Sequence, residues 1–351
     1  MSSTSIPNLN TFQKAGRGRG RLGDDKQNVI LPDKDTVVRG TDDDAATSRM
    51  SAVKAGYLED PFAEHLSSGQ WQRRLPLMNR GTYVRTTAID RVVDRFLFTV
   101  EGKKQIISLG AGSDTRYFRI RANQKACNLI YHEVDFSDNN KRKLQRLFAP
   151  ACLKVIDEMC GIDLKAAQKS DDELMSNDYC IHSLDLRCLD AQCLLKTFAA
   201  ELPTLIISEC CLVYLSPEEA DRVLDTFVEG LTSSTTAIVI YEPINPNTAF
   251  GRTMTRNLVS RGIHLQTIQK YADLQAQARR LQSRGLQQET HDINSIWQQW
   301  VSTDEKTRID KLEWMDEVEE FVLLAKHYCL SIGYRGMVDF DLTARQELKQ
   351  G

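Results

Sequence analysis

A chain of 351 residues with 41% apolar side chains can bury a substantial core, enough for one large domain with elaborations or for two small ones. Its 45 lysines and arginines nearly balance its 48 acids, so the overall charge points to neither a nucleic acid nor a membrane surface as partner. No stretch has the roughly 18 uninterrupted apolar residues of a membrane helix, and the N-terminus lacks the apolar core of a secretory signal. The nine cysteines contain no C-x-x-C pair, which reads as reduced thiols in the cytosol. Six histidines without H-E-x-x-H spacing or a companion cysteine pair lead to the expectation of no metal.

Residues 1–40 read as a disordered tail. Hydrophobicity is low up to Pro32, and Pro7 with the run from Gly16 to Arg21 opposes the amphipathic helix of a transit peptide, even though residues 1–23 hold no acid. Residues 41–104 are expected to form N-terminal helices and a lid. A helical pattern begins after Asp42-Asp43-Asp44, acids suited to a helix N-terminus. Ile89, Val92, Val93, Phe96, Leu97 and Val100 then fall at three-and-four spacing before Gly102.

From 105 to 243 the period shortens. Strands are predicted at Ile106–Leu109, at Leu129–Val134, at Leu205–Ile207 running into Ser208-Glu209, and at Ala237–Tyr241 before Pro243, with helical stretches between them. Ser216-Pro217-Glu218-Glu219 is a capping box with proline at the first helical position, opening a helix to about Val228. Residues 244–286 read as lid helices around Thr253–Leu258 and Leu274–Leu281. Residues 287–340 read as a closing strand near Gln287–Ile293, an acidic helix around Met315–Lys326 and a strand at Tyr328–Gly333, with 341–351 a second tail. Alternation of strand and helix predicts an α/β fold, a Rossmann-like and mostly parallel sheet with helices on both faces and ligands at the carboxyl ends of its strands.

Chemistry concentrates at those strand ends. Leu109-Gly110-Ala111-Gly112-Ser113-Asp114-Thr115 is a strand, a glycine turn and a helix start. A pyrophosphate fingerprint wants a third glycine where Thr115 stands, so a cofactor without phosphates fits better. Asp135 ends the second strand, where a carboxylate accepts from ribose hydroxyls or caps the next helix. Asp185 ends the expected third strand, suited to an adenine amino group with Leu186 packing on the ring, or to a turn. Glu209 interrupts an apolar strand and needs a partner for its charge, either a cationic ligand or an arginine. Arg80 and Arg85 precede the glycine turn, and either could hold a carboxylate.

Taken together, the stretches Asn79-Arg80-Gly81 with Arg85, the turn from Leu109 to Arg116, Glu133-Val134-Asp135-Phe136, Ser208-Glu209-Cys210 with Val213-Tyr214-Leu215, and Lys326-His327-Tyr328-Cys329 resemble the leucine carboxyl methyltransferase family, of the fungal phosphatase 2A type, over residues 40 to 335. The resemblance implies a class I S-adenosylmethionine methyltransferase core with a helical lid. It implies S-adenosyl-L-methionine bound through Arg85, Gly110, Asp135, Asp185, Leu186 and Glu209, with Arg49 as the best match for a basic residue on the first helix. The implied substrate is the C-terminal leucine carboxylate of the protein phosphatase 2A catalytic subunit, and the implied protein is a monomer of the cytoplasm and also the nucleus, with neither nucleic acid nor membrane as partner.

An α-carboxyl group, with a pKa of roughly 3.5, is already an anion at pH 7, so this chemistry needs no general base. Arg85 is assigned first to the cofactor's carboxylate and then to the substrate, and Tyr214 to the pocket wall. The rivals are a methyltransferase of a small-molecule or tRNA-linked carboxylate, a non-catalytic phosphatase-binding module, and a nicotinamide dehydrogenase.

Overall fold

The computed structural model describes residues 33–68, 71–123, 128–316 and 318–337. Residues 1–32 and the expected tail 341–351 lie outside them. Nine strands form one sheet: β1 (Lys104–Leu109), β2 (Leu129–Asp135), β3 (Gln168–Lys169), β4 (Leu174–Met175), β5 (Tyr179–Ser183), β6 (Thr204–Glu209), β7 (Thr236–Pro243), β8 (Gln287–Asp292) and β9 (Tyr328–Arg335), in the order β3-β4-β5-β2-β1-β6-β7-β9-β8.

The five strands from β5 to β7 run parallel, whereas β9 is antiparallel to both β7 and β8. Chain direction across the sheet reverses at β1, with β2 on one side and β6 on the other. Such a switch point leaves a crevice at the carboxyl ends of neighbouring strands.

The central strands are continuous apolar runs because both of their faces are covered. Alternate residues feed two cores. Ile106, Tyr131, Leu205, Ile207 and Val239 pack on one side with Phe96 and Val92 of the helix Pro76–Thr99. Ile107, Leu109, Val134, Ile206 and Ile238 pack on the other with Leu224 and Phe227 of the helix Pro217–Gly230. The latter helix starts at the expected capping box, in which Ser216 Oγ accepts from the Glu219 amide at 3.2 Å and the Glu219 carboxylate accepts from the Ser216 amide at 2.9 Å. No helix among the described residues is long and apolar enough to cross a membrane.

The structure departs from the sequence reading in four places. Lys34–Arg39 is helical rather than tail, tied down by an Asp35–Arg187 ion pair at 2.7 Å and an Arg39–Asp138 pair at 3.6 Å, long-range contacts that leave no trace in local periodicity. Strand β5 ends at Ser183, so Asp185 stands just beyond it, capping a short turn. Ile293 begins a helix, Ile293–Trp300, because the Asp292 carboxylate accepts from the Ser295 amide at 2.6 Å and ends β8. The edge hairpin β3–β4 has two-residue strands in a polar stretch and gave no signal.

His132 on β2 and His182 on β5 face each other in the second core, with Nδ1 and Nε2 2.9 Å apart and the Phe198 ring edge-on to both. Cys180 completes a group of three residues of metal-ligating type, but the imidazoles already hydrogen bond to one another, the arrangement of a neutral core pair. Burial pushes His132 down to about 3, helped by its neighbour, and His182 down to about 4. A depressed folded-state pKa favours the fold above the unfolded value, near 6.5, and that stability is lost as pH falls toward the folded value. Stability is therefore expected to fall between pH 6.5 and 4 with a contribution of about 1.4 kcal/mol per pH unit for each proton the unfolded chain takes up. In urea melts across this range, His182→Phe should flatten the slope, and an unchanged slope would contradict the neutral pair.

Candidate cofactor site

At the carboxyl end of β1 the chain turns through Gly110 and Gly112 with φ of 63° and 47°, a left-handed backbone that glycine adopts without strain. A Cβ on Gly110 would lie 2.8 Å from Cys211 Sγ, and one on Gly112 would collide with the Asp42 carboxylate. Asp42, in the first turn of the helix Thr41–Lys54, accepts from both the amide and the hydroxyl of Ser113 at 2.7 Å. A helix far back in the sequence thus fastens the turn.

The strands on either side of β1 each end in an acid. Asp135 at the end of β2 accepts from the Gly112 amide at 2.7 Å, the Phe136 amide at 2.7 Å and Asn139 Nδ2 at 2.9 Å. Burial pushes its carboxyl upward while these donors pull it back. Glu209 at the end of β6 accepts from Arg85 Nε at 2.5 Å on one oxygen and from Arg116 Nη2 at 3.2 Å on the other. Burial works against its charge, but the Arg85 and Arg116 guanidiniums outweigh it and hold the group down at about 2. The next residue, Cys210, takes a φ of 53°, a strained value for a side chain with a Cβ, and burial pushes its thiol up to about 11.

These ends open into a cavity of about 1080 Å³. The eight residues assigned to the cofactor or the pocket wall line it: Arg49, Arg85, Gly110, Asp135, Asp185, Leu186, Glu209 and Tyr214. Arg49 contacts Asp60 at 3.3 Å. Arg85 lies over the Tyr241 ring, 4.8 Å from its centroid. Asp185 is already clamped by Arg187, with contacts of 2.6 to 3.0 Å, and Arg187 in turn reaches Asp35. Leu186 is buried, and burial raises the phenol of Tyr214.

Arg80, the alternative carboxylate holder, is absent from the cavity. It pairs with Asp310 at 2.6 Å and packs against the rings of Trp297 and Phe321. Five residues along a helix turn the side chain by about 140°, so Arg80 and Arg85 serve different sides of Pro76–Thr99.

Sequence reasoning assigned no part to Asp42, Asp60, Asp90 or Tyr241, and none to Arg116, the last residue of the turn motif. An arginine opening a helix ordinarily points to solvent, whereas this one is 1% exposed and meets Asp90, Asp114 and Glu209.

Apart from the edge hairpin β3–β4, the strand order with β9 as its one reversed strand is that of a class I S-adenosylmethionine methyltransferase. The sequence profile of the leucine carboxyl methyltransferase family matches residues 37–228. Leucine carboxyl methyltransferase 1 of Aspergillus fumigatus is 47% identical, the alignment covering 98% of this chain and 96% of the relative. That of Emericella nidulans is 46% identical over 95% of each. Among solved structures, a putative methyltransferase from Thermobifida fusca is similar with a TM-score of 0.47 at 13% identity, covering 78% of this chain and 92% of that one. The chain belongs to the leucine carboxyl methyltransferase family.

Gly110→Ala must displace Cys211 or the turn. The unfolding free energy should fall by about 1–3 kcal/mol in chemical denaturation, with cofactor affinity weakened several-fold by titration calorimetry. A variant with the parent's midpoint and affinity would contradict the close approach.

Proposed function

We propose that this protein uses S-adenosyl-L-methionine to methyl-esterify the C-terminal leucine α-carboxylate of the protein phosphatase 2A catalytic subunit. The observation that carries the reading is the pair of strand-end acids on either side of the glycine turn, Asp135 and Glu209, facing one large cavity together with Arg85. Family membership supports the leucine carboxylate as acceptor.

The residues present fit the cofactor. Asp135 keeps acceptor capacity for ribose hydroxyls, since its two oxygens serve three donors. Asp185 and Leu186 take the adenine, Glu209 takes the ammonium and Arg85 the carboxylate of the methionine group, with Arg49 adding positive charge from the helix Thr41–Lys54. When bound, the cofactor supplies an electrophilic methyl group on a sulfonium.

Among the described residues the cavity wall offers no nucleophile and base pair, and none is needed, because the acceptor carboxyl is ionised at pH 7. Met78, Phe250, Met254, Phe321, Leu324 and Tyr328 give the cavity an apolar wall suited to a leucine side chain, and such a wall sheds water from the attacking oxygen. Positioning of that kind can supply roughly 7 to 11 kcal/mol. Arg85 gives up Glu209 for the cofactor and steers the second carboxylate, while Tyr214 closes the wall. The proposal includes a monomer in the cytoplasm and nucleus. The eight cysteines of the described residues are all unpaired, as a reducing compartment requires.

With labelled S-adenosyl-L-methionine, the intact phosphatase subunit should take up base-labile label and a subunit lacking its last leucine should take up none. Equal labelling of both would overturn the assigned acceptor.

A further inference from the structure

Beneath the cavity, charged side chains alternate in sign along one buried chain. Arg85 meets Glu209 at 2.5 Å, Glu209 meets Arg116 at 3.2 Å, and Arg116 meets Asp90 at 2.9 Å. Asp90 meets Arg119 at 2.5 Å, Arg119 meets Asp60 at 3.6 Å, and Asp60 meets Arg49 at 3.3 Å. Asp114 joins at Arg116, 2.5 Å away. Four arginines thus face four acids. The two ends of the chain, Arg85 and Arg49, line the cavity, and so does Glu209, while Arg116 lies beneath it.

The two arginines on Glu209 differ in freedom. The Arg85 side chain is 26% exposed and has one carboxylate. That of Arg116 is 1% exposed and is fixed by three, on three different segments.

We propose that Arg116 is the positioning residue of the cofactor site: it holds Glu209 from below, so that Arg85 can leave Glu209 for the cofactor's carboxylate while Glu209 stays in place to accept from the cofactor's ammonium. The proposal rests on the cofactor assignment above. Its physical basis is that a carboxylate in low-dielectric surroundings cannot give up its last cation. With Arg116 present, Glu209 keeps a partner throughout the exchange. Without it, Arg85 is the last hydrogen-bonded partner of Glu209, with the Arg49 charge acting only from a distance, and it can leave for the cofactor's carboxylate only as the ammonium arrives. Arg116 touches no ligand: it acts through Glu209 on the ammonium and, by freeing Arg85, on the carboxylate.

The test compares S-adenosylhomocysteine with its analogue lacking the α-amino group, by calorimetric titration of the full-length protein, its Arg116→Gln variant and its Arg116→Lys variant. Wild type should bind the parent ligand at least tenfold more tightly than the desamino analogue. Arg116→Gln should weaken the desamino analogue at least several-fold more than the parent ligand, because only the parent brings an ammonium to replace Arg85 on Glu209, and Arg116→Lys should recover part of the loss. In assays the Gln variant should show a raised KM for the methyl donor and a largely unchanged KM for the peptide acceptor. Equal weakening of both ligands, or no weakening of either, in whichever of the two variants folds, would overturn the proposal. A wild-type protein with no preference between the ligands would instead overturn the assignment of Glu209 to the ammonium, whatever the variants do.

Discussion

The site is organised around the carboxylate of Glu209, charged and largely withdrawn from water at the end of a central parallel strand. Removing such a group from solvent costs several kcal/mol unless cations compensate, and here Arg85 and Arg116 compensate from opposite sides, one on each oxygen. Arg116 needs acids of its own, supplied by Asp90 and Asp114, and the requirement passes on through Arg119 and Asp60 to Arg49. A single acid in an apolar strand therefore imposes identities on residues from the first long helix to the helix after the glycine turn. Under the proposed assignment, a zwitterionic amino-acid group enters by exchanging one ion pair, Arg85–Glu209, for two.

The same economy fastens the N-terminal helices over the cavity. Asp35, Asp42, Asp43 and Asp44 reach Arg187, Ser113, Arg142 and the pair Arg74 and Arg261, each on a different part of the chain. Exposed pairs contribute little singly, but the set gathers the starts of two helices, Lys34–Arg39 and Thr41–Lys54, onto the rim of the cavity. Arg187 joins the two systems, since it grips both Asp35 of the first helix and Asp185 just beyond β5.

The strands of the core could be read from the sequence because burial on both faces leaves uninterrupted apolar runs, and glycines at a strand end have few other uses. Acids at successive strand ends were visible for the same reason: each interrupts a pattern. What could not be read was the pairing. Arg80 and Arg85 look alike in sequence, and only the helical rotation sends one to Asp310 and the other to the cavity. Arg116 was visible only as the last residue of the turn motif, because Asp90 and Glu209, two of its partners, lie far away along the chain. Asp42 looked like an acid favoured by a helix N-terminus, which it is, but its hydrogen bonds go to Ser113. Local rules find elements and conspicuous residues, whereas electrostatic partnership is a property of the assembled fold.

The most direct measurement is a crystal structure with S-adenosylhomocysteine bound. The account predicts that the ligand's ammonium lies within hydrogen-bonding distance of Glu209, that Arg85 has moved from Glu209 to the ligand's carboxylate, and that Arg116 keeps its contacts to Asp90, Asp114 and Glu209. A ligand bound with the Arg85–Glu209 pair intact, or bound away from the glycine turn, would contradict it.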